Sequence, residues 1–267
     1  MNQPFDNRTE QPVSPTDNTP GSNSPALAPA PQAVRVPLPK SAPYVTYTII
    51  AITVVVYLLQ LASQVLLNVD WPVVLFVKSN ELIRSGQLWR LLSPALLHGS
   101  ITHIGFNMYA LFSFGAGLEG HFGHRRFLLL YVLGAFTGNV ASFLFSDANS
   151  LGASTAIFGL LGAEGVFLVQ NRKLLAGQFR SAISNILFIA FINLFLIGSL
   201  ANIDNWGHIG GLLGGLMFTS FAGPLWDVEG IPPAIHLVDR RSLREVITGA
   251  ATVVIIFGAL AMWGMVR

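Results

Sequence analysis

From Tyr44 onward the chain alternates between long apolar blocks and short polar breaks, and seven of the blocks come close to the roughly 20 residues a helix needs to cross hydrocarbon. The pattern predicts membrane-spanning helices over 44–67, 101–118, 127–145, 152–170, 183–200, 208–225 and 246–266. Residues 1–42 are different: they are rich in Pro, Ser, Asn, Gln and Ala and nearly free of large apolar side chains. Such a segment buries too little surface to offset its ordering entropy, so it reads as a disordered tail. The connection 68–99 mixes apolar and polar residues, too interrupted to span and too apolar for a free loop. It predicts a partly submerged interfacial hairpin, with Trp71 and Trp89 at headgroup depth. The expected fold is an all-α polytopic membrane bundle with seven transmembrane helices. Its parts are a cytoplasmic tail (1–42), a six-helix core (43–225), a cytoplasmic linker (226–243) and an additional C-terminal helix (244–267).

Composition agrees with a bilayer solvent. Hydrophobic residues make up 52% of the 267 and charged residues 10%, against about 25% charged in soluble domains. There is no cysteine, which excludes disulfides, thiolate nucleophiles and cysteine–metal sites. A net charge of +2 gives no footing for nucleic acid. The first apolar block begins near Tyr44, so no cleavable signal peptide is expected at the start. Charge position sets the topology. Arg8, Arg35, Lys40, Arg125, Arg126, Arg172, Lys173, Arg180, Arg240, Arg241 and Arg244 all flank one side of the seven spans, leaving Lys78, Arg84, Arg90 and Arg267 for the other. The positive-inside rule then predicts a cytoplasmic N-terminus and an outer C-terminus. The expected location is a bacterial plasma membrane.

Polar residues inside spans are costly and mark function. The second span opens with His98, Ser100, Thr102, His103 and Asn107; His103 and Asn107 lie on one helical face about 6 Å apart in rise. The fourth opens with Gly152-Ala153-Ser154-Thr155, and the sixth with Gly207-His208. Each residue alone reads as packing or interhelical glue. The topology alters that reading, because the second, fourth and sixth spans all run inward. His103, Asn107, Ser154 and His208 therefore share one depth, within two turns of the outer surface. Small-residue ladders at Gly207, Gly211 and Gly215 and at Thr155, Gly159 and Ala163 allow close helix approach.

This constellation permits acyl transfer. Ser154 would be the nucleophile and His208 the base that takes its proton. His103, Asn107 and the backbone N–H at the start of the fourth helix would face the developing oxyanion. No acid completes a triad. Asp204 reads as an exposed turn residue. Glu164 reads as the only acid well inside a span, about 15 Å deeper than Ser154. A zinc site from His98, His103 and His208 is disfavoured by the five-residue step between the first two, so neither metal nor cofactor is expected. A transporter reading lacks the internal repeats such folds show.

The residues resemble the rhomboid family of intramembrane serine proteases. Gly152-Ala153-Ser154-Thr155 is similar to the family's G-x-S-G, and His208-x-x-Gly211-x-x-x-Gly215 to its H-x-x-G-x-x-x-G. His98 with His103-x-x-x-Asn107 matches its histidine and H-x-x-x-N pattern, and Trp89-Arg90 its W-R. The resemblance spans about residues 44–225 and implies a six-plus-one layout. It also implies a serine-type endopeptidase with a Ser154–His208 dyad and oxyanion stabilisation by His103 and Asn107. Its substrates would be transmembrane segments of other proteins, cut near the outer interface and admitted past the fifth helix. One departure is Thr155 where the family has glycine, which either crowds the oxyanion site or faces away within the ladder. The alternative is a catalytically silent relative that binds membrane proteins.

Overall fold

A computed structural model describes residues 38, 41–175, 177–197, 203–231 and 234–267, so the expected tail over 1–42 lies almost wholly outside the described residues. Helix α1 (Tyr44–Leu67) is followed by two short helices, α2 (Trp71–Phe76) and α3 (Asn80–Arg84), and by 3-10 turns at Leu88–Leu91 and Ser93–Leu96. Helix α4 (Ile101–Ala110) continues through a wide π turn at Leu111–Gly115 into α5 (Ala116–Phe122). Then come α6 (His124–Phe145), α7 (Ser154–Gln170), α8 (Phe179–Phe191) with a second π turn at Ile192–Ile197, and α9 (Asn205–Ala222). A hairpin of β1 (Trp226–Glu229) and β2 (His236–Asp239) precedes α10 (Leu243–Val266).

Every expected span overlaps helix, although residues 152–153 of the fourth and 223–225 of the sixth are not helical and residues 198–200 of the fifth lie outside the described residues. Among the described residues three helices, α1, α6 and α10, are long and apolar enough to cross a membrane by length and composition. The others are shorter, interrupted or rich in glycine. Helices α7 and α9 have much of their surface covered by protein and need less lipid-facing hydrocarbon: α9 buries Gly207, His208, Gly210, Gly211, Gly214, Gly215 and Phe218 against its neighbours. The same logic ranks the long helices. The most apolar window of α6 is 72% buried, against 22% for α1 and 28% for α10. Helix α6 is thus central, and the other two turn large apolar side chains such as Leu66 and Ile255 outward.

Glycine sets how closely α6, α7 and α9 pack. A Cβ on Gly211 would run into the carbonyl oxygen of Thr155, one on Gly215 into that of Gly159, and one on Gly214 into the side chain of Thr137. Gly134 and Gly159 meet backbone to backbone. Both sequence-predicted ladders therefore lie at backbone contact, where dispersion rather than hydrophobic transfer holds helices together in lipid.

The 68–99 connection is folded as more than a hairpin. Trp71 and Trp89 are about half exposed, as an interfacial position requires, while Arg90 is buried. Its guanidinium donates to the carbonyls of Val77 (2.7 Å) and Val74 (2.9 Å) and to Gln87 Oε1 (2.8 Å), pinning α2 to the 3-10 turns.

Three expectations change. First, the fully buried acid among the described residues is Glu119, whereas Glu164, expected well inside the fourth span, is half-buried on α7. The second helical stretch runs four residues past the expected end at Leu118, which carries the fully buried Glu119 into the core. Helix α1 starts after Pro43 without a side-chain cap of its own, and Glu119 supplies one from across the bundle. It accepts from Val45 N (2.8 Å), Thr46 N (2.7 Å) and Thr46 Oγ1 (2.7 Å), with His124 Nδ1 at 2.6 Å. Orphan N–H groups at a helix start and a carboxylate satisfy each other. Second, Asp204 is a half-buried cap, not an exposed turn residue: its Oδ1 accepts from Gly207 N (3.0 Å) at the start of α9. Third, the chain is not wholly α. Within the expected linker over 226–243, β1 and β2 pair antiparallel from Trp226↔Asp239 to Glu229↔His236. Asp239 holds the hairpin down by pairing with Arg126 and accepting from Leu225 N and Arg241 N.

Candidate active site

Ser154 is the first residue of α7, and the segment delivering it is clamped by the 68–99 connection. Lys78 and Ser150 exchange backbone hydrogen bonds (3.0 and 3.2 Å), and the buried Lys78 Nζ donates to the carbonyls of Ser146 (2.7 Å) and Ala148 (2.9 Å). Burial pushes the Lys78 amine down from 10.5 to about 8, a shift that Asp204 and Asp147 partly oppose. Gly152 N then donates to Pro94 O (2.9 Å) and Ala153 N to His98 Nε2 (3.4 Å). Gln60 on α1 holds His98 in turn, through both its backbone N–H and its carbonyl (3.1 Å each).

Gly152 has φ +131°, a conformation that side chains rarely adopt. It also lies against the His103 ring: a Cβ there would come within 2.8 Å of His103 Nε2 and 3.7 Å of Ser154 Oγ. His103 Nε2 and Ser154 Oγ therefore border one small space beside Gly152. His98 and His103 meet edge to face at 5.0 Å.

His208, in the first turn of α9, reaches across to Ser154: Nε2 lies 2.9 Å from Oγ. The ring stacks on Phe158 at 4.3 Å with planes 9° apart. Its Nδ1 is buried with no hydrogen-bond partner among the described residues, so no carboxylate orients the ring. Stacking on Phe158 does so instead. Asn107 is buried, but its Nδ2 donates to the carbonyl of His103 (3.0 Å), one turn back on its own helix. The structure thus gathers Ser154, His208 and His103 around one space and leaves Asn107 bonded below them. Thr155 turns away from that space, its Cγ2 lying against Gly138 and Gly207.

Phe158, Lys78 and Gln60 escaped the sequence reading. Phe158 had a legible signal, being one helical turn after Ser154 on the same face. Lys78 and Gln60 had none, since their partners are distant in sequence.

Residues 85–224 match the family model described as the rhomboid domain. The chain is 42% identical over 181 residues to rhomboid protease GluP of Bacillus subtilis, covering 68% of this chain and 35% of that protein. It is 39% identical over 136 residues to RHOMBOID-like protein 1 of Arabidopsis thaliana (51% of this chain, 34% of that one). It is 34% identical over 173 residues to RHOMBOID-like protein 5 of the same plant (62% and 55%). The chain spans about a third of the length of the first two relatives. With a domain match over more than half of its residues and apolar helices of membrane-crossing length, this integral membrane protein belongs to the rhomboid family.

Proposed function

We propose that the chain is an intramembrane serine endopeptidase, with Ser154 as nucleophile and His208 as its general base. The observation that carries this reading is the 2.9 Å approach of His208 Nε2 to Ser154 Oγ across two helices. As Oγ attacks the scissile carbonyl carbon, His208 takes the hydroxyl proton and then passes it to the leaving amine as the C–N bond breaks. Water, deprotonated by the same imidazole, releases the acyl group from Ser154. Phe158 takes over the ring-orienting task of an acid. His103 and the N–H groups at the start of α7 face the oxyanion, aided by the helix dipole. Asn107 joins them by giving up its bond to the His103 carbonyl. The contacts of Thr155 with Gly138 and Gly207 favour a harmless packing role over crowding of the site.

The substrates in this reading are transmembrane segments of other proteins, cut in or next to the membrane near its outer face. In this reading the site end of the bundle faces outside and the N-terminus the cytoplasm, with seven crossings of a bacterial plasma membrane; the asymmetry of the basic residues supports it. Helix α8 presents Leu187, Phe188 and Phe191 outward and fits a lateral route of substrate access.

The test is labelling of the reconstituted full chain by a fluorophosphonate probe, together with cleavage of a model transmembrane substrate. Wild type is expected to do both, and Ser154→Ala and His208→Ala neither. Folded wild type that takes no label but retains the substrate would favour the silent-binder alternative. Labelling that persists in Ser154→Ala would remove the serine from its role.

A further inference from the structure

We propose that the groove between α10 and the start of α6 binds an anionic phospholipid, its acyl chain along α10 and its phosphate on Arg125. A cavity of about 1080 Å³ opens there. One wall is a single face of α10, formed by Val246, Ile247, Ala250, Ala251 and Val254. Those residues span about 12 Å of helix rise. Leu129 on α6 stands opposite, and the mouth is polar, with Arg125 and Arg126 beside it.

Position and charge identify the occupant. Helices α6 and α10 are two of the three helices of membrane-crossing length among the described residues, so a groove between them opens to acyl chains. Its mouth lies at the ends of both helices, where headgroups sit. Arg126 is already paired with Asp239 and also donates to the carbonyl of Arg241 (3.3 Å). Arg125 is exposed and has no partner among the described residues, so it is the cation left for a ligand. Basic pockets between membrane helices hold anionic headgroups for this reason. A free phosphate would meet the arginine but leave the apolar wall unused. The chain's own residues before Ser41, which also borders the groove, would add the positive charges of Arg35 and Lys40 to an already basic mouth.

The test uses the full chain in bilayer discs of phosphatidylcholine with or without phosphatidylglycerol, analysed by native mass spectrometry. One phosphatidylglycerol per chain is expected to be retained in preference to phosphatidylcholine. Arg125→Glu should lower retention about tenfold. Ala251→Trp, which fills the apolar wall without changing charge, should lower it as well. Arg180→Glu, on α8 and outside the groove, should leave it unchanged. Loss in both groove variants supports the site. Equal retention of the two lipids, or retention that survives either groove substitution, overturns it. So does a photoreactive residue at position 251 that crosslinks to the chain's own residues before Ser41 instead of lipid. Probe labelling of Ser154, read in parallel, is expected to survive Arg125→Glu, so the lipid site and the protease reading fail separately.

Discussion

Gly211→Ala tests whether glycine packing sets the distance between the proposed nucleophile and its base. The new methyl would overlap the carbonyl oxygen of Thr155, the residue after Ser154. That oxygen is backbone, so no rotamer change relieves the overlap. Non-bonded atoms settle at about 3.5–4.0 Å, and α7 and α9 must therefore part by on the order of 1 Å. His208 lies one turn before Gly211 on α9 and holds Ser154 at 2.9 Å. A contact of about 3.6 Å is no longer a hydrogen bond, so a shift of that size breaks the pair. Overpacking of this kind costs roughly 1–3 kcal/mol of stability. A 1 Å misplacement at reacting groups costs about a hundredfold in rate. The assay is the time course of fluorophosphonate labelling in proteoliposomes, with thermal unfolding measured alongside. Gly211→Ala is expected to label about a hundredfold more slowly while remaining folded. Gly165→Ala is the control on the nucleophile helix: nothing lies within 4 Å of its Cβ, and it should label like wild type. Wild-type labelling by Gly211→Ala with an unchanged unfolding midpoint would refute the reasoning.

Glu119→Gln puts an NH2 group among donors that now meet carboxylate oxygens, whichever way the amide turns. It should cost about 1–3 kcal/mol in chemical unfolding; an unchanged midpoint would contradict the capping role. Lys78 titrates near 8 in the folded chain and at 10.5 when unfolded, so the unfolded state binds the extra proton between those values. Stability from this group therefore rises with pH across that window. Lys78→Met should remove the rise, and unfolding curves that stay parallel to wild type from pH 7 to 10.5 would count against it. Thr155→Gly restores the family's glycine and should leave labelling near wild type while lowering stability by about 1–2 kcal/mol, through lost methyl packing and helix propensity. A large gain in labelling rate would mean that Thr155 crowds the site after all.

Much of the fold was legible because a bilayer imposes a local rule: each spanning segment must be apolar along its own length. Among the described residues each stretch that this rule marks overlaps helix, with α1 running over the expected 44–67. It was weakest where protein replaces lipid as the surroundings. Helix α9 is held by glycine contacts, and the stretch from Ile101 to Phe122 continues past its apolar part with the Glu119 carboxylate hydrogen-bonded by groups on α1 and α6. The hairpin at 226–239 was read as linker because four-residue strands carry little pattern, and its anchor at Asp239 depends on Arg126, more than a hundred residues away.

The candidate site divides in the same way. Sequence by itself determined which residues could share a depth, since charge asymmetry and helix direction follow from order along the chain. It singled out Ser154, His208, His103 and Asn107 on that ground, and the ladders beside them. Only the tertiary structure decided which of these meet. Ser154 and His208 come within hydrogen-bond reach, His103 flanks Gly152, and Asn107 turns to its own backbone. It also decided that Phe158 orients the imidazole, that Thr155 packs toward Gly138 and Gly207, and that Lys78 and His98 hold the approach to Ser154. The physical reason is that depth is a one-dimensional property of the chain. Hydrogen-bond partnership is settled by how helices rotate and approach in three dimensions.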